Sequence, residues 1–116
     1  MNKLICTLLL AAATGGCASD PAPNEQLRLT EQAMVQARSV GASEQTPELA
    51  MAEQKLQAAI VALKDEDHRA ARLLAEQAEL DARLAEAKIL NAKSELELAE
   101  ITRRIARLRD QLGALQ

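Results

Sequence analysis

Phenylalanine, tyrosine and tryptophan are all missing from this chain of 116 residues. Aromatic side chains supply much of the energy of most cores and binding hot spots, so any core here is built from Leu, Ile and Ala. Their absence also removes the platforms on which bases stack. The formal charge is −3, and becomes −4 once residues 1–16, whose only charge is Lys3, are set aside. Neither feature suits a polyanion, and nucleic acid is excluded as a partner. Cysteine occurs twice, at Cys6 and Cys17. There is no Ser-His-Asp set, no Cys-His pair, no glycine-rich phosphate loop and no zinc spacing. The chain is read as non-enzymatic, with no catalytic residue, no metal and no cofactor.

Glycine and proline are also missing from Asp67 to Leu112, a stretch of Ala, Leu, Glu, Arg and Gln, the strong helix formers. Along it Leu73, Gln77, Leu80, Leu84, Ala87, Asn91, Ser94, Leu98, Ile101, Ile105, Leu108, Leu112 and Leu115 recur in steps of four and three. That is an a/d heptad seam. A helix of this length spans roughly 65 Å and needs a partner for its seam, because helices in water are held mainly by packing.

The N-terminus is a short basic start, Met1-Asn2-Lys3, followed by an apolar run from Leu4 to Ala13 and then small residues. This is the pattern of a secretory signal, too short to span a bilayer. Thr14-Gly15-Gly16-Cys17 resembles the lipobox of bacterial lipoproteins, with Thr14 where Leu is usual. The resemblance implies cleavage before Cys17 and its lipidation, making residues 1–16 the signal peptide and 17–24 a linker carrying the lipid. Cleavage after a small residue such as Ala18 is the alternative. Cys6 would leave with the signal, so no internal disulfide can form. Several acyl chains on Cys17 would hold the protein on a membrane almost permanently. Ala18, where Asp would signal inner-membrane retention, implies the periplasmic face of the outer membrane.

Two prolines, Pro21 and Pro23, keep the linker extended. Asn24 is the expected cap of a first helix over 25–40, ended by Gly41, with Leu27, Thr30, Met34 and Ala37 as its stripe. Thr46-Pro47-Glu48 starts a second helix over 47–64. Its seam is Leu49, Ala52, Leu56, Ala59 and Leu63. Asp65-Glu66-Asp67 is a tight turn, and Asp67 caps a third helix over 67–112. Residues 25–116 thus form one all-α domain: a helical hairpin with an added N-terminal helix and a long C-terminal coiled-coil helix.

Helix two covers only roughly 27 Å. It is expected to shield the long helix from about His68 to Glu86, burying Leu73, Leu80 and Leu84 and leaving residues from Ile89 onward uncovered. The block Leu98, Ile101, Ile105, Leu108 and Leu112 would then be a patch that monomers avoid. It is the expected partner-binding surface, for an envelope protein or for a second copy.

The residues Ala52, Lys55-Leu56, Ala59, Ala62-Leu63, Asp67, Ala71-Arg72, Ala75-Glu76-Gln77-Ala78, Asp81-Ala82 and Leu84-Ala85-Glu86-Ala87 resemble a domain-of-unknown-function family of short proteobacterial envelope lipoproteins. Its members accompany peptidoglycan-binding domains of the outer-membrane-protein-A type, which implies a peptidoglycan-associated protein as a possible partner. The same stretch resembles a single tetratricopeptide hairpin without a second copy.

Other candidates have plain structural readings. His68 follows three acids that cannot all aim at one ion, and the spacing of a calcium loop is absent. Glu76 and Glu79 fit a solvated face. Arg103, Arg104, Arg107 and Arg109 suit a helix C-terminus, or an anionic partner. Asn91 either fixes a coiled-coil register or marks the end of hairpin cover. The expected function is that of a lipid-anchored spacer or adaptor working through its coiled-coil arm. A pilotin-like escort for another outer-membrane protein is the alternative.

Overall fold

The computed structural model describes residues 20–114. Three helices account for most of them: α1 (Asn24–Ser39), α2 (Pro47–Lys64) and α3 (His68–Gly113). Among the described residues there is no strand. The expected all-α hairpin, added first helix and long last helix are all present. The signal segment, Cys17 and Leu115 lie outside the described residues.

The turns follow from their hydrogen bonds. Helix α1 ends in a Schellman motif. Gly41 takes a left-handed φ of 109°, its N–H donates to the Arg38 carbonyl, and the Ala42 N–H donates to that of Ala37. Ala42 is buried and closes the turn. Helix α2 ends in the same motif, with Glu66 and Asp67 donating to Leu63 and Ala62. Here the left-handed position belongs to Glu66, at φ 60°. The expected cap at Asp67 is present: its carboxylate accepts the Ala70 N–H at 2.9 Å. Two other caps differ from expectation. Asn24 is already helical, with Pro23 before it in the cap position. Thr46 occupies the cap of α2 but makes no cap bond; its hydroxyl instead accepts the Ser43 N–H at 3.1 Å.

Helices α1 and α2 each pack on α3 and touch one another little. Thr30, Met34 and Ala37 of α1, and Leu49, Ala52, Leu56 and Ala59 of α2, are buried as their stripes predict. The face they meet is a correction to the sequence reading. On α3 the buried residues are Ala71, Ala75, Ala78, Ala82 and Ala85. Leu73, Leu80 and Leu84, expected beneath the hairpin, are exposed; Leu80 is 66% accessible. Methyl side chains let two helices approach a third closely at once, and rows of Leu would hold them apart. The larger side chains on α1 and α2 fill the space above the alanines. The Thr30 hydroxyl lies 2.9 Å from the Ala75 carbonyl oxygen on α3, and at the same distance from that of Gln26, so its polarity is satisfied inside the contact.

The cover also reaches further than Glu86. Ile89 packs against the core, and the Cβ of any residue replacing Gly41 would stand 3.8 Å from Ile89 and 3.7 Å from Lys93. The seven residues between α1 and α2 extend the body by this last turn. From Leu90 to Ala114 every residue is exposed, so the uncovered arm is present as expected.

Candidate partner-binding site

The buried alanines fix the orientation of the rest of α3. With Leu98 taken as position a and Ile101 as d, Ala71, Ala78 and Ala85 are b residues, and Ala75 and Ala82 are f residues. These positions lie on the side of the helix opposite the a/d seam. The seam therefore stays open over the whole helix. Leu73, Leu80 and Leu84 are exposed at one end, and Leu98, Ile101, Ile105, Leu108 and Leu112 at the other. Sequence reasoning found the second group and missed the first. The signal that could have found it is the alanine series, which also runs in steps of four and three and is the more regular of the two patterns under the hairpin.

Polar pairs place the two short helices along the flanks. Lys55 of α2 meets Asp81 at 2.6 Å, and Lys88 meets Glu48. On the other flank Gln26 of α1 donates to Glu79 at 2.6 Å, and Gln36 donates to Glu86 at 3.3 Å. Arg38 and Glu53 bridge α1 to α2 at 2.5 Å over an open groove that contains Met34, Val35 and Leu56. The Lys88 ammonium first, and the backbone N–H of Glu48 itself second, hold the Glu48 carboxyl below its ordinary value. Arg83 first, and Gln26 second, do the same for Glu79. Glu79 is thereby held as a carboxylate and is a poor proton donor, and Glu76 beside it is exposed; the two have the character of a polar flank.

His68 Nδ1 lies 2.6 Å from the Asp20 carbonyl oxygen, and an Arg72 N–H donates to the Pro21 carbonyl at 3.3 Å. These contacts tie the incoming segment to the start of α3. Among the described residues no three His, Cys, Asp or Glu side chains gather as a metal site. In the basic cluster Arg104 is held by Glu100 at 2.6 Å, while Arg103, Arg107 and Arg109 make no ion pair among the described residues. Asn91 is exposed and donates to Glu95 at 2.9 Å, just past the last covered turn. No described helix is long and apolar enough to cross a membrane.

What the described surface offers is thus an aliphatic seam edged by charge. Residues 25–101 match the family model described as Domain of unknown function (DUF4398). Among solved structures, a crystal structure of a DUF4398 family protein from Pseudomonas aeruginosa PAO1 is 54% identical to this chain. The likeness covers 83% of this chain and 100% of that one, with a TM-score of 0.78. No curated protein matches.

Proposed function

The chain belongs to the DUF4398 family, and from that footing we propose that it is a non-enzymatic, lipid-anchored adaptor of the bacterial envelope. The observation that carries the reading is the open seam of α3. Eight large aliphatic residues in line are costly to leave in water, at about 1.5–3 kcal/mol for each fully buried side chain, and a helix face of this kind is built to be covered. The hairpin supports the helix from behind and leaves the seam free. Gly16-Cys17 supports the anchor, and Ala18 the outer membrane with the protein on its periplasmic side. A membrane lipid and a helical partner are then the two ligands; no cofactor is involved.

The anchor is tested by labelling cells with palmitate. Wild-type protein takes up label and sediments with outer membranes, and Cys17→Ser remains unlabelled. A wild type without label overturns the anchored reading. The seam is tested by crosslinking intact envelopes through a photoreactive residue at Leu98. Adducts at Leu98 and none at Glu97→photoreactive controls support the adaptor. Recovery of a nascent outer-membrane subunit as the sole adduct would favour the escort instead.

A further inference from the structure

We propose that the seam of α3 is the interface of an antiparallel homodimer, with Leu73 of one chain against Leu112 of the other. This rests on the partner-binding reading above and names the occupant. Large aliphatics stand at both ends of the seam, at Leu73, Leu80 and Leu84 and at Leu98, Ile101, Ile105, Leu108 and Leu112. Smaller or polar residues, Ala87, Asn91 and Ser94, stand between them. All of these positions are exposed.

Such a pattern is close to a palindrome about a point between Asn91 and Ser94. A two-fold axis there sets Leu73 against Leu112, Leu80 against Ile105 and Leu84 against Ile101. Ala87 meets Leu98, small against large, and Gln77 meets Leu108. Asn91 and Ser94 face each other across the axis, where their amide and hydroxyl can pair. Every seam position from Leu73 to Leu112 gains a partner. Sliding the chains by one heptad one way sets Asn91 against Ile101. Sliding them the other way carries Leu112 past the start of α3. A C2 interface of this kind is self-complementary by construction.

Charge favours the same orientation. A parallel pair would bring Glu76 to Asp81, Arg83 to Lys88 and Arg104 to Arg109, three like-charged contacts each made twice. The antiparallel pair brings Lys88, which also meets Glu48 of its own chain, to Glu95 twice. Its one like-charged pair, Arg83 with Arg104, is also made twice, and joins residues already held by their own carboxylates, Glu79 at 2.5 Å and Glu100 at 2.6 Å. Among the described residues the hairpin lies on the opposite face and leaves the approach open. The stripe is about 58 Å long and about 10 Å wide. Two such faces bury about 1,200 Å² in total, above the roughly 1,000 Å² that a specific interface needs. Asp20 of each chain lies at the start of α3, beside His68, so the first described residues of the two chains stand at opposite ends of the dimer.

Disulfide trapping and sedimentation equilibrium on residues 18–116 test this. All three helices lie inside that stretch, and the crystallised relative aligns in full to 83% of this chain, so the helical part folds without the rest. Residues 18–116 contain no cysteine. The wild type is expected to sediment as a dimer. Leu84→Cys together with Ile101→Cys is expected to give a covalent dimer under mild oxidation, and each single variant, whose thiols are far from their own copies, is not. Both positions are exposed, so folding is unaffected. Trapping of Leu84→Cys alone means a parallel pair and overturns the proposal. So does a wild type that stays monomeric at millimolar concentration. In that case palmitate uptake and adducts at Leu98 would still support an adaptor whose partner is another protein.

Discussion

The Lys93 ammonium donates a hydrogen bond to the Val40 carbonyl oxygen at 2.7 Å. It joins α3, one turn beyond its last covered residue Ile89, to the residue that caps α1. Carbonyls at a helix C-terminus lack intrahelical donors and carry partial negative charge, which a cation satisfies. This contact marks the border between the packed body and the free arm. Lys93→Met should lower stability to urea by about 0.5–1 kcal/mol, since the pair is solvent-exposed. Lys93→Arg should recover most of the loss. An unchanged midpoint in Lys93→Met would mean that the end of α1 is held by its Schellman turn alone.

The alanine face makes a contrast that no leucine-seam arrangement shares. Ala82 is fully buried, and Ala82→Leu adds volume where helices are closest, at a cost of about 1–3 kcal/mol or more. Leu80, two residues away, is open, and Leu80→Ala should change the stability of the dilute monomer by no more than about 0.5 kcal/mol. Urea unfolding of both variants below the association range checks this. A Leu80→Ala variant that lost as much as Ala82→Leu would put Leu80 inside the hairpin.

The extent of the helices was legible in the sequence because their signals are local: Gly41 at one end, Thr46-Pro47-Glu48 and Asp67 at the others, and an unbroken run to Leu112. The rotation of α3 was not legible in the same way. Two stripes of heptad spacing lie on one helix, one of leucine and one of alanine, and hydrophobicity alone favours burying leucine. The choice is made by the distance between backbones, which depends on both short helices packing on α3 at once. The exposed arm was foreseen because it follows from lengths. The participation of Leu73, Leu80 and Leu84 in the open seam was not, because it follows from rotation. The first-helix cap at Asn24 was misplaced by one residue, within the usual fraying of helix ends.

Glu66 is the one described non-glycine residue with a left-handed backbone. A Cβ in that region costs about 1–2 kcal/mol, part of which glycine returns through its freer unfolded chain. Glu66→Gly should therefore raise stability by about 0.5–1 kcal/mol, read as a higher urea midpoint with an unchanged slope. Glu66→Val should lower it. A destabilised Glu66→Gly would show that the acidic side chain contributes more to the turn than the backbone conformation costs.

Acid should weaken the bonds of Glu79, chiefly its pair with Arg83 within α3 and secondly its bond to Gln26 of α1. Arg83 and Gln26 hold the Glu79 carboxyl below its ordinary value of 4.5. A depressed carboxyl contributes stability that is fully present above the unfolded value and is lost as pH falls through the folded one. The stability of the wild type relative to Glu79→Gln should therefore be greatest near neutral pH and shrink below about pH 4.5. A difference between the two that stays constant down to about pH 3 would mean that Glu79 acts through packing and not through its charge.

Residues 98–112 are exposed along their whole length, and a helical arm without packing frays, because helices in proteins are held mainly by tertiary contacts. Its amides should therefore exchange with solvent quickly in the dilute monomer and slowly once the seam is covered. Protection of residues 98–112 should rise with protein concentration, while protection of the buried residues Ala71 to Ala85 stays constant. Ile101→Asp with Ile105→Asp should abolish the concentration dependence and leave the hairpin intact, since both positions are exposed in the folded chain and a buried unpaired charge is tolerated nowhere in the seam. Loss of hairpin protection in that variant would show the arm to be part of the fold. Concentration-independent protection of the wild-type arm would show that the helix holds itself without a partner.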